Sequence, residues 1–143
     1  MSLATDIADA VTTEINASGL LPVGVTALRM VLPEFELADL AELKVAVVPK
    51  SVLITGSTRA ASQYEIAIDV GVQKKLGKDL DTEVATLGTL VDQIAEHLRQ
   101  RALSATPYAT WVTTLNEPVY APEHLAEQRV FTSVLTVTYR AIK

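Results

Sequence analysis

Residues 63–76 read Gln-Tyr-Glu-Ile-Ala-Ile-Asp-Val-Gly-Val-Gln-Lys-Lys-Leu, and this stretch decides the fold. Tyr64, Ile66, Ile68, Val70 and Val72 fall on one side of a two-residue repeat. Glu65, Asp69, Gln73 and Lys75 fall on the other, where Ala67 and Gly71 add no bulk. Side chains of a strand alternate between the two faces of a sheet, so the pattern predicts a strand with one buried and one polar face. At roughly 3.3 Å per residue the run reaches about 40 Å, well beyond an average strand. A domain of this size is expected to leave part of it to meet another chain.

Just upstream, residues 43–49 read as a strand by their β-branched content, and residues 52–54 continue it past a bulge at Pro49. Between the two strands lies Thr55-Gly56-Ser57-Thr58-Arg59-Ala60-Ala61-Ser62, small and polar and too long for a tight turn. It predicts the flexible tip of a protruding hairpin. A Gly-Ser-Thr run invites a phosphate-binding reading, but no Gly-Lys-Ser/Thr follows and no helix opens directly after it.

Downstream, Gly77 and Lys78 break the strand and Asp79 or Asp81 can cap a helix. Val84, Leu87, Val91, Ile94 and Leu98 recur at three- and four-residue steps and predict that helix over 82–103, with Arg99 and Arg101 in its last turns. Near the start of the chain, Leu3, Ile7, Val11 and Ile15 mark another amphipathic helix, with Ser2 as its cap and Gly19 as its stop. Residues 26–32 read as a strand ended by Pro33, with Leu28, Met30 and Leu32 along one face. Residues 33–43 fit either a helix, by the spacing of Leu37, Leu40 and Leu43, or an acidic loop.

Toward the C-terminus, residues 109–115 form a strand around Trp111, and Pro122 opens about one helical turn over 123–128. In residues 129–142, Phe131, Leu135, Val137 and Tyr139 face one way and Thr132, Thr136, Thr138 and Arg140 the other, with Ser133 interrupting the apolar side. Trp111 and Phe131 are expected in the core, and Tyr120 is left open between core and interface. The expectation is one domain over 1–143 of the α+β class, ordered α-β-β-β-α-β-β. Two helices pack on one face of a mainly antiparallel sheet from which a long β-hairpin protrudes.

Composition narrows the function. The 143 residues hold no cysteine, which excludes disulfides, thiolate metal sites and cysteine nucleophiles. A net charge of −5 argues against gripping nucleic acid, which needs a basic surface. No basic segment followed by an apolar run opens the sequence, and no apolar stretch approaches the roughly 20 residues of a membrane span. A soluble chain without membrane partners is expected. Charged residues make up 20% and apolar residues 49%, a balance that favours burying surface in partners.

Chemistry finds little to stand on. His97 lies beside Glu96, which follows Asp92 by one turn, and His124 lies between Glu123 and Leu125 with Glu127 a turn on. Neither has the spacing of a metal site, which gathers three or four ligands, so a solvated helix face and a surface turn are expected. Ser57, Ser62, Ser104 and Ser133 lie in no nucleophile elbow. The carboxylate pairs Glu34/Glu36 and Asp79/Asp81 show no sign of the burial that tunes an acid. No catalytic residue, metal or cofactor is expected. The competing reading is a small-ligand module or weak enzyme using the sheet face near His97 or His124.

A resemblance adds what the residues alone do not. A hairpin with Thr58-Arg59 at its tip leads into the strand from Tyr64 to Leu76, and a leucine-rich helix follows. Trp111, then Tyr120-Ala121-Pro122-Glu123-His124-Leu125, and then Arg129-Val130-Phe131-Thr132-Ser133-Val134-Leu135 running into Tyr139-Arg140 complete the order. The order resembles small tail-completion proteins of tailed bacteriophages, and is similar to the tail terminator (minor tail protein U) group. The resemblance implies a non-enzymatic virion protein, assembled in the cytoplasm of the bacterial host, that closes a ring of six subunits at the head–tail junction. The ring would end polymerisation of the tail tube protein and offer a surface to a head-completion or connector protein, with DNA passing through without specific binding. A head–tail connector or neck protein is the alternative it leaves open. Thr58, Arg59, Glu65, Asp69, Gln73, Lys75 and Tyr120 are the expected interface residues.

Overall fold

The computed structural model describes residues 2–31, 40–56 and 58–143; the expectations for Leu32, residues 33–39 and Ser57 lie outside the described residues. Within them the chain runs α1 (Leu3–Ala17), β1 (Ala27–Arg29), β2 (Lys44–Gly56), β3 (Ser62–Lys75), α2 (Leu80–Leu98), β4 (Thr110–Asn116), α3 (Pro122–Gln128) and β5 (Val130–Ile142). This is the expected α+β order with a third, short helix inserted before the last strand. The five strands form one sheet in the order β1-β2-β3-β5-β4. All neighbours are antiparallel except β1 and β2.

Alternation along β3 has the predicted result. Ile66, Ile68, Val70 and Val72 are fully buried, and register sets them beside Tyr139, Val137, Leu135 and Ser133 of β5. On the other flank Val45 and Val47 of β2 lie beside Val72 and Val70. Ile7, Val11 and Ile15 of α1 and Leu87, Val91, Ile94 and Leu98 of α2 close over this face, so both long helices lie on one side of the sheet. Ser133, the polar break in the buried row, lies 3.1 Å from the Asn116 side-chain amide and 3.4 Å from the Pro118 carbonyl.

The caps sit where the sequence put them. Ser2 accepts from the Thr5 N–H at 3.1 Å, and Asp79 accepts from the Thr82 N–H at 3.3 Å. Gly19, at φ +76°, turns the chain out of α1 in a conformation that favours glycine. Three expectations change. The helix α2 ends at Leu98, with Arg99 extended and Gln100 at positive φ, so Arg101 lies beyond it and donates from Nε back to the His97 carbonyl at 2.7 Å. The first strand is only three residues long, and its inward residue is Ala27, whereas Leu28 is exposed and Met30, just past the strand, is half-buried. The Asn16 side chain clamps Ala27 on both its N–H and its carbonyl, at 2.7 and 3.1 Å, and thereby selects that face. Phe131 is buried as expected, but Trp111 is only half-buried.

The length of β3 is absorbed differently from expectation. Strand β5 pairs with it from Gln63 to Lys75 and β2 from Ser62 to Gln73, so β3 is central along its whole run. The overreach belongs to β2 instead. Past a register shift between Pro49 and Ser51, every residue from Lys50 to Gly56 is exposed. This is the protruding hairpin.

Candidate assembly interface

The outward side chains of β3 face solvent across from those of β5, and three polar pairs stand directly opposite one another. Arg140 donates from Nη2 to Glu65 Oε1 at 3.1 Å, Thr136 from Oγ1 to Asp69 Oδ1 at 2.6 Å, and Gln73 from Nε2 to Thr132 Oγ1 at 3.3 Å. The alternate positions hold Ala67 opposite Thr138 and Gly71 opposite Val134. Cross-strand pairs of this kind satisfy their own polar groups and leave a low, even surface. Lys50 adds a distant ion pair to Asp69 at 4.0 Å.

The seven expected interface residues do not form one patch. Glu65, Asp69 and Gln73 share this outer face. Thr58 and Arg59 sit at the hairpin tip, where the Thr58 N–H donates to the Ala61 carbonyl at 3.1 Å and Arg59 is exposed. Lys75 ends β3 at the other extreme, about 45 Å away for a strand of this length. Tyr120 is exposed in the loop before α3, level with that far end, because the adjacent Ala121 N–H donates to the Thr132 carbonyl at 2.9 Å. The expected residues therefore trace a line along the sheet with the tip and the far end as separate places.

Exposed apolar side chains mark a place the sequence reading passed over. Val52, Leu53 and Ile54 are 43%, 56% and 56% exposed, and Ile142 near the same end is 54% exposed. The signal was present: three consecutive apolar residues put carbon on both faces of a strand that extends beyond its core. At the opposite edge of the sheet, a groove of about 490 Å³ runs between α2 and β4, lined by Asp92, Ala95, Glu96, Trp111 and Thr113 among others. A second groove, of about 540 Å³, lies on the other flank of α2 and is mainly apolar, lined by Leu20, Pro22, Leu43, Leu87 and Leu90.

The histidines occupy different settings from each other. His97 is not on a solvated face: its Nε2 lies 2.9 Å from Glu14 Oε1, a part-buried pair that ties α2 to α1, with Arg101 Nε 3.5 Å from the same oxygen. Near this pair the phenol of Tyr139 is pushed well above its usual range by burial, with the Glu14 charge adding to the shift. Its hydroxyl has no hydrogen-bond partner among the described residues. His124 is exposed, with Nδ1 2.9 Å from Thr132 Oγ1. Among the described residues no group of three or more His, Cys, Asp or Glu is placed to hold a metal ion. No described helix is long and apolar enough to cross a membrane.

No family model matches the sequence, and no curated protein does. A solved structure does resemble it: a chain of the "Virion of native gene transfer agent (GTA) particle" superposes with a TM-score of 0.58 at 16% identity, covering 99% of this chain and 98% of that one. At that identity the likeness is one of fold, and it extends over essentially the whole of both chains.

Proposed function

We propose that this chain is a non-enzymatic structural protein of a tailed phage, prophage or related phage-like virion. In this reading it closes a ring of six subunits at the head-proximal end of the tail, halts growth of the tail tube and presents a surface to the head-completion protein. The observation that carries the reading is the end-to-end likeness of fold to a virion chain. The exposed apolar strip on the protruding hairpin supports it, since a contiguous apolar surface of this kind marks a contact with another protein. Each subunit offers one edge to the next in a heterologous contact, and the rotation closes the ring. A net charge of −5 would leave a DNA channel slippery, so DNA would pass without being held. The particle, assembled in the bacterial cytoplasm, is the final location.

Deleting residues 57–60 tests this directly. The variant is expected to fold and to lose capping, giving tails of uneven length and reduced infectivity; unchanged tail length and infectivity overturn the reading. A head–tail connector is the second reading, because the matching chain belongs to a particle and its description names no position within it. Binding to purified tails supports the terminator role, and binding to filled heads alone supports the connector.

A further inference from the structure

Four side chains form one row straight across the sheet. Val52 of β2 is the register partner of Ile66, Ile66 of Tyr139, and Tyr139 of Trp111 in β4. Ile66 and Tyr139 are buried under the helices, so the whole row points to the helix side. Its two ends lie at opposite edges and are uncovered, Val52 being 43% exposed and Trp111 half-buried. Trp111 donates its indole N–H to Thr114 Oγ1 at 2.9 Å, which leaves its ring a carbon surface with no polar demand. Ile54, two residues beyond Val52, points to the same side.

We infer that the two ends of this row are the two halves of one contact between copies of the chain. Val52 and Ile54 of one copy seat against Trp111 and the α2–β4 groove of the next. The inference rests on the ring reading above and names its surfaces. Because the halves lie at opposite edges, the contact is head-to-tail and cannot be two-fold. Because they lie at one register level, joining them needs little shift along the strands, which is compatible with a ring when the rotation between copies closes. Side-chain chemistry agrees: an aromatic anchor receives aliphatic residues, as at the centre of stable interfaces.

Charge agrees as well. Residues 50–62 carry Lys50 and Arg59 and no carboxylate, whereas the groove carries Asp92 and Glu96, of which Glu96 is taken by Arg99 at 3.0 Å. Asp92 has no ion-pair partner among the described residues. The contact is made by side chains. Strand β1 pairs with β2 only at Val45 to Val47, but beyond that point Pro49 lacks an N–H and the bulge breaks the ladder, so open-ended strand addition is disfavoured.

The absence of cysteine makes the test clean. Full-length Val52→Cys and Glu96→Cys variants, the latter on the exposed α2 wall of the groove, are mixed with a short bis-maleimide, each alone and together, and run on a denaturing gel. The expected result is a covalent dimer only in the mixture, and in the double variant a ladder that stops at the ring number. Dimerisation of Val52→Cys alone overturns the inference, since it reports a two-fold contact. So does equal cross-linking of Val52→Cys to a control cysteine at Thr86, on the other flank of α2. Light scattering on the unchanged chain separates the two levels of failure. Rings without the Val52–Glu96 cross-link overturn the surfaces and leave the ring; a monomer at every concentration, with tail tubes added, overturns both.

Discussion

The fully buried Tyr139 offers a substitution whose sign is fixed by its surroundings. Its hydroxyl is an orphan in a low-dielectric core, and an unsatisfied buried hydroxyl costs about 1–3 kcal/mol. Tyr139→Phe removes that cost and leaves a void of a single oxygen, worth a few tenths of a kcal/mol at about 24 cal/mol per Å³. The variant should therefore be more stable at neutral pH, by about 1 kcal/mol. With a slope of about 2 kcal/mol/M, its urea midpoint rises by roughly half a molar. Fluorescence of Trp111, the single tryptophan, reads the transition at protein concentrations low enough to avoid assembly.

Alkaline pH widens the gap. The unfolded phenol ionises near pH 10, while burial first and Glu14 second raise it well above that in the folded chain. A raised phenol binds its proton more tightly when folded, so its contribution is whole below about pH 10 and is lost as pH climbs toward the folded value. At pH 11 the parent loses about 1.4 kcal/mol relative to Tyr139→Phe, because all other titrating groups cancel between the two proteins. The total difference then reaches roughly 2.4 kcal/mol. Parallel stability curves from pH 8 to 11, or a Phe variant weaker at pH 7 by 1 kcal/mol, would refute the reasoning.

Three further outcomes follow from single sites. A double-mutant cycle of Asp69→Ala with Thr136→Val should return a coupling of about 1 kcal/mol, reduced from the usual charged hydrogen bond by partial exposure, and little changed between 0.05 and 0.5 M salt; a coupling near zero means the 2.6 Å contact is not held in solution. Gly19→Ala should lower stability by about 1 kcal/mol, since alanine at φ +76° is strained even though its Cβ meets no atom within 4 Å; a neutral result by thermal melting would show that the turn relaxes. Arg59→Ala, at the exposed tip, should stay within about 0.5 kcal/mol of the parent in stability while weakening the proposed self-assembly at low salt, and an unchanged salt dependence of assembly would remove Arg59 from the proposed contact.

The sheet was legible because two strands alternate with a single break, Ser133 in β5. The odd and even sets in β3 and β5 sorted into buried and outer faces, and the helix periodicities of α1 and α2 supplied their covers. Where the pattern broke, local geometry decided what the sequence left open. Nothing in the run from Thr26 says that Asn16, eleven residues before Ala27, would clamp that residue and turn it inward. Nothing beside His97 says that Glu14 of another helix meets it, because a pairing 83 residues apart is fixed by how the helices pack. The line of Glu65, Asp69 and Gln73 was visible as a face, but their partners on β5 were not, since register is set by the whole ladder.

The distal half of β2 carries the deeper lesson. A strand with apolar residues on both faces is ordinarily buried on both. Here Val52, Leu53 and Ile54 keep that composition outside any cover the described residues provide. The devices that protect an edge from indiscriminate pairing, a proline, a bulge and a lysine, sit at residues 49–51, immediately before the apolar run. Backbone pairing is thus discouraged at the same edge where side-chain contact is invited. A surface built only for solubility would have used polar residues at 52–54, and one built for unlimited stacking would have left the ladder unbroken. The combination fits a specific side-chain contact with another chain, the kind of heterologous contact that the proposed ring would use.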